Sequence, residues 1–119
     1  MVTSDLSARI NDVLRYVGIT RNMNAYMILS QALTLIAEDE DRLRAVEKEI
    51  YTPIADKTLR GPRAVQSTVR RASKVAWDFF PDRVQELADY PLNGRPFAVA
   101  MLELLYNGVA RYDDLSILK

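Results

Sequence analysis

YTPIADKTLRGPRAVQSTVRRASKVAW, residues 51–77, holds two helix starts and one chain reversal. Pro53 and Pro62 each suit the first turn of a helix, where the missing N–H leaves no ladder bond unmade and the ring presets φ to about −65°. LRGP, residues 59–62, is a tight connection, and Gly61 marks the turn. The spacing predicts a short helix from Pro53 and a longer one from Pro62 to about Asp78. Residues of roughly 53–78 therefore form a candidate helix-turn-helix.

The longer helix has two distinct faces. With about 100° per residue and Val65 set at zero, Val69, Ala72 and Ala76 fall within about 40° of it. These four stand at i, i+4, i+7 and i+11, the stripe that packs on a core. Arg63, Ser67, Arg70 and Lys74 repeat the same spacing on the opposite side, with Gln66 and Arg71 at its edges. The front of this helix is cationic and rich in hydrogen-bond donors.

Charge along the chain is segregated. Sixteen bases balance sixteen acids overall. Between Lys57 and Trp77, however, lie Lys57, Arg60, Arg63, Arg70, Arg71 and Lys74 with no acid among them, which leaves the rest of the chain at a net −6. Sign asymmetry of this kind points to a polyanionic partner more directly than the total does. A charge run by itself is still a non-specific signal, because exposed Arg and Lys are often only solvated.

Working outward, nearly everything reads as helix, and the expected fold class is all-α. Ser4 caps a first helix over about Asp5–Val17, with Leu6, Ile10, Val13, Leu14 and Val17 on one face and Gly18 ending it. Thr20 or Asn22 starts a second, central helix to about Ala37, with Met23, Tyr26, Met27, Leu29, Leu33 and Ile36 inward. The acidic run Glu38–Asp41 fits the start of a third helix, where the dipole favours negative charge; Leu43, Val46 and Ile50 form its buried stripe. A metal cage is a poor reading of that run, because consecutive acids on a helix point in different directions. A short helix over about Asp82–Ala88 turns Val84 and Leu87 inward. YPLNGRP is a turn, and a last helix spans Phe97 to about Val109 with Val99, Met101, Leu102, Leu105 and Tyr106. The tail Arg111–Lys119 frays or docks through Leu115, Ile117 and Leu118. Trp77 reads as a core anchor and the four methionines as core filler.

Composition excludes several classes of function. At 119 residues the chain is expected to form a single domain, 1–119, with an adequate core. It has no cysteine, so disulfides and thiolate metal sites are out and a cytoplasmic location is expected. It has no histidine, which removes the commonest general base and the commonest zinc ligand. No apolar run reaches the roughly 18–20 residues of a membrane span, so no membrane partner is expected. No convergent acid pair or activated nucleophile is visible. The expectation is a non-enzyme with no catalytic residues, no metal and no cofactor.

Double-stranded DNA suits the front of the longer helix. Phosphates attract Lys and Arg through counterion release, and the major groove admits one helix. In a helix-turn-helix the N-terminal part of the second helix meets base edges, which makes Arg63, Gln66, Ser67 and Arg70 the base-edge candidates. Arg forks onto guanine and Gln onto adenine. Arg60, Arg71 and Lys74 stand where a phosphate clamp is expected.

The order YTPIADKT…RAVQSTVRRASKVAW also resembles the C-terminal effector domain of the master response regulator of sporulation initiation. The likeness runs without a gap from Tyr51 to Trp77 and rests on Tyr51, Ile54, Ala55, Lys57, Val65, Arg70, Ala72, Val75, Ala76 and Trp77. Upstream, Gly18, Tyr26, Leu29 and Ala32 fall where that family has the same residue types. The resemblance implies a six-helix domain with an embedded helix-turn-helix that binds duplex DNA and activates or represses transcription. It further implies homodimeric or tandem binding at adjacent sites, with RNA polymerase or a related regulator as a further partner. Carried over by position, Arg70 matches a DNA-contacting Arg and Arg71 replaces a DNA-contacting His. Ala64, Gln66 and Ser67 replace an Arg, a Glu and an Arg that read bases, and Arg63 adds a base where the family usually has a small residue. The docking scaffold is kept and the reading head altered, which predicts a different or relaxed target sequence. The family carries a receiver domain ahead of the effector. Here the first effector helix starts almost at Met1, as in a stand-alone effector or one cut from a longer protein. The alternative reading is a protein–protein adaptor that kept the fold, lost the DNA code and modulates a full-length regulator.

Overall fold

The computed structural model describes residues 2–112, with side chains from Asp5 onward. The regular structure is entirely helical among these residues: α1 (Val2–Tyr16), α2 (Asn24–Glu38), α3 (Thr52–Thr58), α4 (Pro62–Phe79), α5 (Pro81–Leu87) and α6 (Ala98–Ala110). The expected all-α, six-helix class is what the chain forms. The expected tail contacts of Leu115, Ile117 and Leu118 lie outside the described residues.

α1 begins before Ser4, so that residue is inside the helix and not at its cap. Its other end follows the sequence. Gly18 takes φ +89, its N–H donates to Arg15 O at 3.0 Å, and Ile19 N–H donates to Leu14 O at 2.9 Å. This is a Schellman closure, which needs a left-handed residue after the helix. Gly18 serves a second purpose: a Cβ there would lie 2.6 Å from the Phe80 ring.

α2 is the central element. It buries Ile28, Leu29, Ala32, Leu33 and Ile36 and packs against α1, α4 and α6. It starts at Asn24, with Met23 as an uncapped N-cap, later than Thr20 or Asn22. Met27, expected inward, is exposed, while Ile28 is buried in its place. Leu29, Leu33 and Ile36 are buried as the spacing predicts, so the stripe stands and only its first turn differs. Of the three methionines among the described residues, only Met101 is a fully buried core residue, with Met23 half-buried against the surface turn.

The acidic stretch does not form the expected continuous helix. Residues Glu40–Arg44 make a short 3₁₀ helix whose N-cap is Asp39, the side chain of which accepts from Asp41 N–H at 3.0 Å. Leu43 is only half-buried as a result. A wide π-helical turn, Glu47–Tyr51, then runs straight into α3, with Thr52 N–H donating to Glu47 O. The physical reason lies in Pro53. Its ring has no N–H to return to Glu49 O, four residues back, and would clash with that carbonyl in a regular helix. Widening the preceding turn relieves the clash. Arg42 Nη1 donates to Glu49 O at 2.8 Å, tying the 3₁₀ helix to the π turn. Tyr106 O–H donates to Glu40 Oε2 at 3.0 Å and ties the same region to α6.

The reversal between α3 and α4 falls in the expected LRGP connection, which contains Gly61. Leu59, not Gly61, is the left-handed residue, at φ 59 and ψ 29. The N–H groups of Leu59 and Arg60 both donate to Ala55 O. Gly61 has ordinary extended angles, φ −74 and ψ 156, and open space where a Cβ would stand. A left-handed leucine costs about 1 kcal/mol relative to glycine. Its side chain is 95% exposed, so no packing offsets that cost.

Candidate nucleic-acid interface

α4 carries the candidate contacts. It has 18 residues and so is about 27 Å long. Pro62 opens it; Gly61 is its N-cap and supplies no side-chain capping bond, and the first turn holds no acid. Val65, Val69, Ala72 and Ala76 are all buried, as the wheel predicts. Each buried valine stabilises the docked helix by about 1.5–3 kcal/mol relative to exposure. Thr68 and Ser73 are buried as well. Thr68 satisfies its hydroxyl by donating to Ala64 O at 3.0 Å within the helix. Trp77 is half-buried and packs against the core, as expected.

With that back fixed, the front faces outward. Arg63, Arg70, Arg71 and Lys74 are exposed, while Gln66 and Ser67 are partly covered at the margin of the stripe. Arg60 is exposed on the preceding connection, and Ala64 is exposed on the first turn. Arg60, Arg63 and Arg70 make no ion pair among the described residues. Lys74 differs: its Nζ lies 2.6 Å from Asp78 Oδ2, an i, i+4 pair on the surface. Such a pair is worth only about 0.3–0.5 kcal/mol. Arg71 Nη2 sits 3.5 Å from Thr68 Oγ1, the outer limit of a hydrogen bond.

Three features beside this front went unread in the sequence. Tyr51 ends the π turn and is buried, and its hydroxyl has no hydrogen-bond partner among the described residues. Burial raises its pKa above the ordinary tyrosine value, with the nearby positive charge of Arg70 acting in the other direction. Phe97 is 82% exposed and Val99 is also exposed, although both belong to an apolar segment that reads as core. Phe97 stands just outside the helix as the α6 N-cap, and Val99 is on its first turn facing away from the interior. The one sequence signal for this was the break at Pro96, which allows the residue after it to leave the core stripe.

The segment before α6 is fixed by α4. Ser73 Oγ donates to Pro96 O at 2.8 Å in a buried setting. Gln66, Arg70, Phe97 and Val99 consequently line one groove together with Tyr51 and Glu47.

No cluster of three or more acidic side chains able to hold a metal forms among the described residues. No helix among them is long and apolar enough to cross a membrane.

Comparison with known families adds one finding. The family model described as sporulation initiation factor Spo0A C terminal matches residues 10–109, from the buried face of α1 to the end of α6. With most of its length matched, and with the helices and the α3–α4 reversal in place, this chain belongs to the Spo0A C-terminal family, the DNA-binding effector domains of sporulation regulators.

Proposed function

We propose that this chain is a cytoplasmic, single-domain, sequence-specific regulator of transcription that places α4 in the major groove of duplex DNA. One observation carries the reading. A helix anchored by a buried apolar stripe offers Arg63 and Arg70 outward, both without ion-pair partners among the described residues. Arg63, Gln66, Ser67 and Arg70 are the groups directed at base edges. Arg60, Arg71 and Lys74 clamp phosphates on either side of them. Short side chains at Ala64 and Ser67 leave Arg63, Gln66 and Arg70 as the long readers, so the target differs from one read by two further long side chains at those positions.

The test is binding to duplexes selected from a random library at several salt concentrations. Each neutralised phosphate contributes a log–log slope of about −0.9. Saturable binding with a slope of several contacts supports the reading, and no saturable binding at low salt overturns it.

A second reading is favoured by the exposed Phe79, 73% accessible at the end of α4, and by exposed Tyr90. These apolar groups suit a protein partner such as a related regulator or RNA polymerase, or a second copy of this chain on adjacent sites. Recovery of a regulator in a pull-down, with DNA binding absent, would favour this adaptor role.

A further inference from the structure

The groove between the π turn, α4 and the start of α6 encloses about 300 Å³. Gln66 and Arg70 form one wall, Phe97 and Val99 another, and Tyr51 lies between them, with Glu47 on the third side. Phe97 is a large apolar side chain held in solvent on a segment that Ser73 ties to α4. Tyr51, 3% exposed, has a hydroxyl with no hydrogen-bond partner among the described residues. A buried donor left open in this way is one that a bound molecule or an ordered water completes.

Two residues, Gln66 and Arg70, belong both to this groove and to the front of α4. A duplex that meets them through its base edges brings a flanking strand close to α4, and this groove is a surface that adjoins both residues. We infer that the groove seats a deoxyribose of the strand flanking the α4 contact, with Phe97 and Val99 packed on the apolar face of the sugar. The inference rests on the DNA reading above. Glu47 gives it a distinctive signature, because an exposed carboxylate on the rim faces the phosphates on either side of that sugar. Phe97 and Glu47 therefore act in opposite directions on DNA affinity: Phe97 favours binding through an uncharged contact, and Glu47 opposes it through charge. A protein partner in the groove would not link these two residues to DNA affinity.

The experiment titrates the full chain with its selected duplex by fluorescence anisotropy over a range of KCl. The variants are Phe97→Ala and Glu47→Gln, with Arg63→Ala as a control outside the groove. Phe97→Ala is expected to weaken binding about threefold to tenfold with an unchanged salt slope, since an apolar contact releases no counterion. Glu47→Gln is expected to tighten binding about twofold to fivefold, most at low salt. If Phe97→Ala lowers the melting temperature, Val99→Thr repeats the apolar test. Unchanged affinity in Phe97→Ala and Glu47→Gln, with Arg63→Ala weakened, overturns the groove contact and leaves the α4 reading standing. Loss of DNA binding in the parent chain overturns both.

Discussion

Ser73 Oγ donates to Pro96 O across 2.8 Å, joining α4 to the segment that precedes α6. Ser73 is 1% exposed, and Pro96 is buried. This bond holds Phe97 beside Gln66 and Arg70, two residues more than 25 positions earlier in the chain. Replacing Ser73 by Ala leaves the Pro96 carbonyl without its donor in a place water does not reach. The expected loss is about 1–3 kcal/mol in urea unfolding. Ser73→Thr, which keeps the hydroxyl but adds a methyl to a filled site, tests whether the bond or the packing matters more.

The cations of α4 are not equivalent. Among the described residues Arg70 has no carboxylate partner, whereas Lys74 already pairs with Asp78 at 2.6 Å. A base-directed Arg70 predicts that Arg70→Ala weakens binding to the selected duplex by about 1–3 kcal/mol and relaxes discrimination at one position. Lys74→Ala is expected to weaken selected and random duplexes alike and to flatten the salt slope by about one contact. Asp78→Asn frees Lys74 and should tighten binding to both. Parallel titrations of selected and scrambled duplexes separate these outcomes.

The three turn positions Gly18, Leu59 and Gly61 carry distinct predictions. Gly18→Ala places a Cβ against the Phe80 ring at φ +89 and is expected to cost about 1–3 kcal/mol. Leu59→Gly removes a left-handed leucine that buries nothing and is expected to stabilise by up to about 1 kcal/mol. Gly61→Ala reduces the entropy of the unfolded chain but gives up a good N-cap, so the two effects nearly cancel and the change stays within about 0.5 kcal/mol. Thermal melts of the three variants check all of this in one series.

Stability is expected to fall in alkali. Tyr16, Tyr51 and Tyr106 all have pKa values raised above the ordinary 10.0, chiefly by burial; for Tyr106 the bond to Glu40 adds to it. Each raised pKa means that the folded chain holds its proton more tightly than the unfolded chain. The resulting stability is fully present below pH 10 and is lost as pH rises from there through the folded-state value. Urea midpoints should be flat across pH 8–9 for these groups and decline above about 10. Tyr106→Phe removes one such contribution and its bond to Glu40, so it should start lower and decline less steeply. Tyr51→Phe removes a hydroxyl that has no partner among the described residues, and its midpoint at neutral pH should not drop.

Arg42 bridges the 3₁₀ helix and the π turn through Glu49 O, a carbonyl that Pro53 cannot serve. Arg42→Ala is expected to cost about 1–2 kcal/mol, since a charge-assisted bond to a backbone acceptor is lost. Because that turn carries Glu47 and Tyr51, faster hydrogen exchange at residues 47–51 should accompany the loss.

Much of this protein was legible in one dimension, because local rules governed it. Pro53 and Pro62 marked helix starts, Gly18 marked a helix end, and the Val65, Val69, Ala72, Ala76 stripe faces the core as its spacing requires. Arg63 and Arg70 could be placed outward for the same reason: once one face of a helix is buried, the other has nowhere else to go. What local rules could not decide was settled by contacts between distant segments. The acidic run became a 3₁₀ helix and a π turn because Pro53, Arg42 and Tyr106 act on it together. Leu59, within the LRGP connection, took the left-handed conformation because the α3–α4 packing sets where the chain must reverse. Phe97 came to lie beside Arg70 through one hydrogen bond between α4 and Pro96, a relationship that no periodicity within either segment contains.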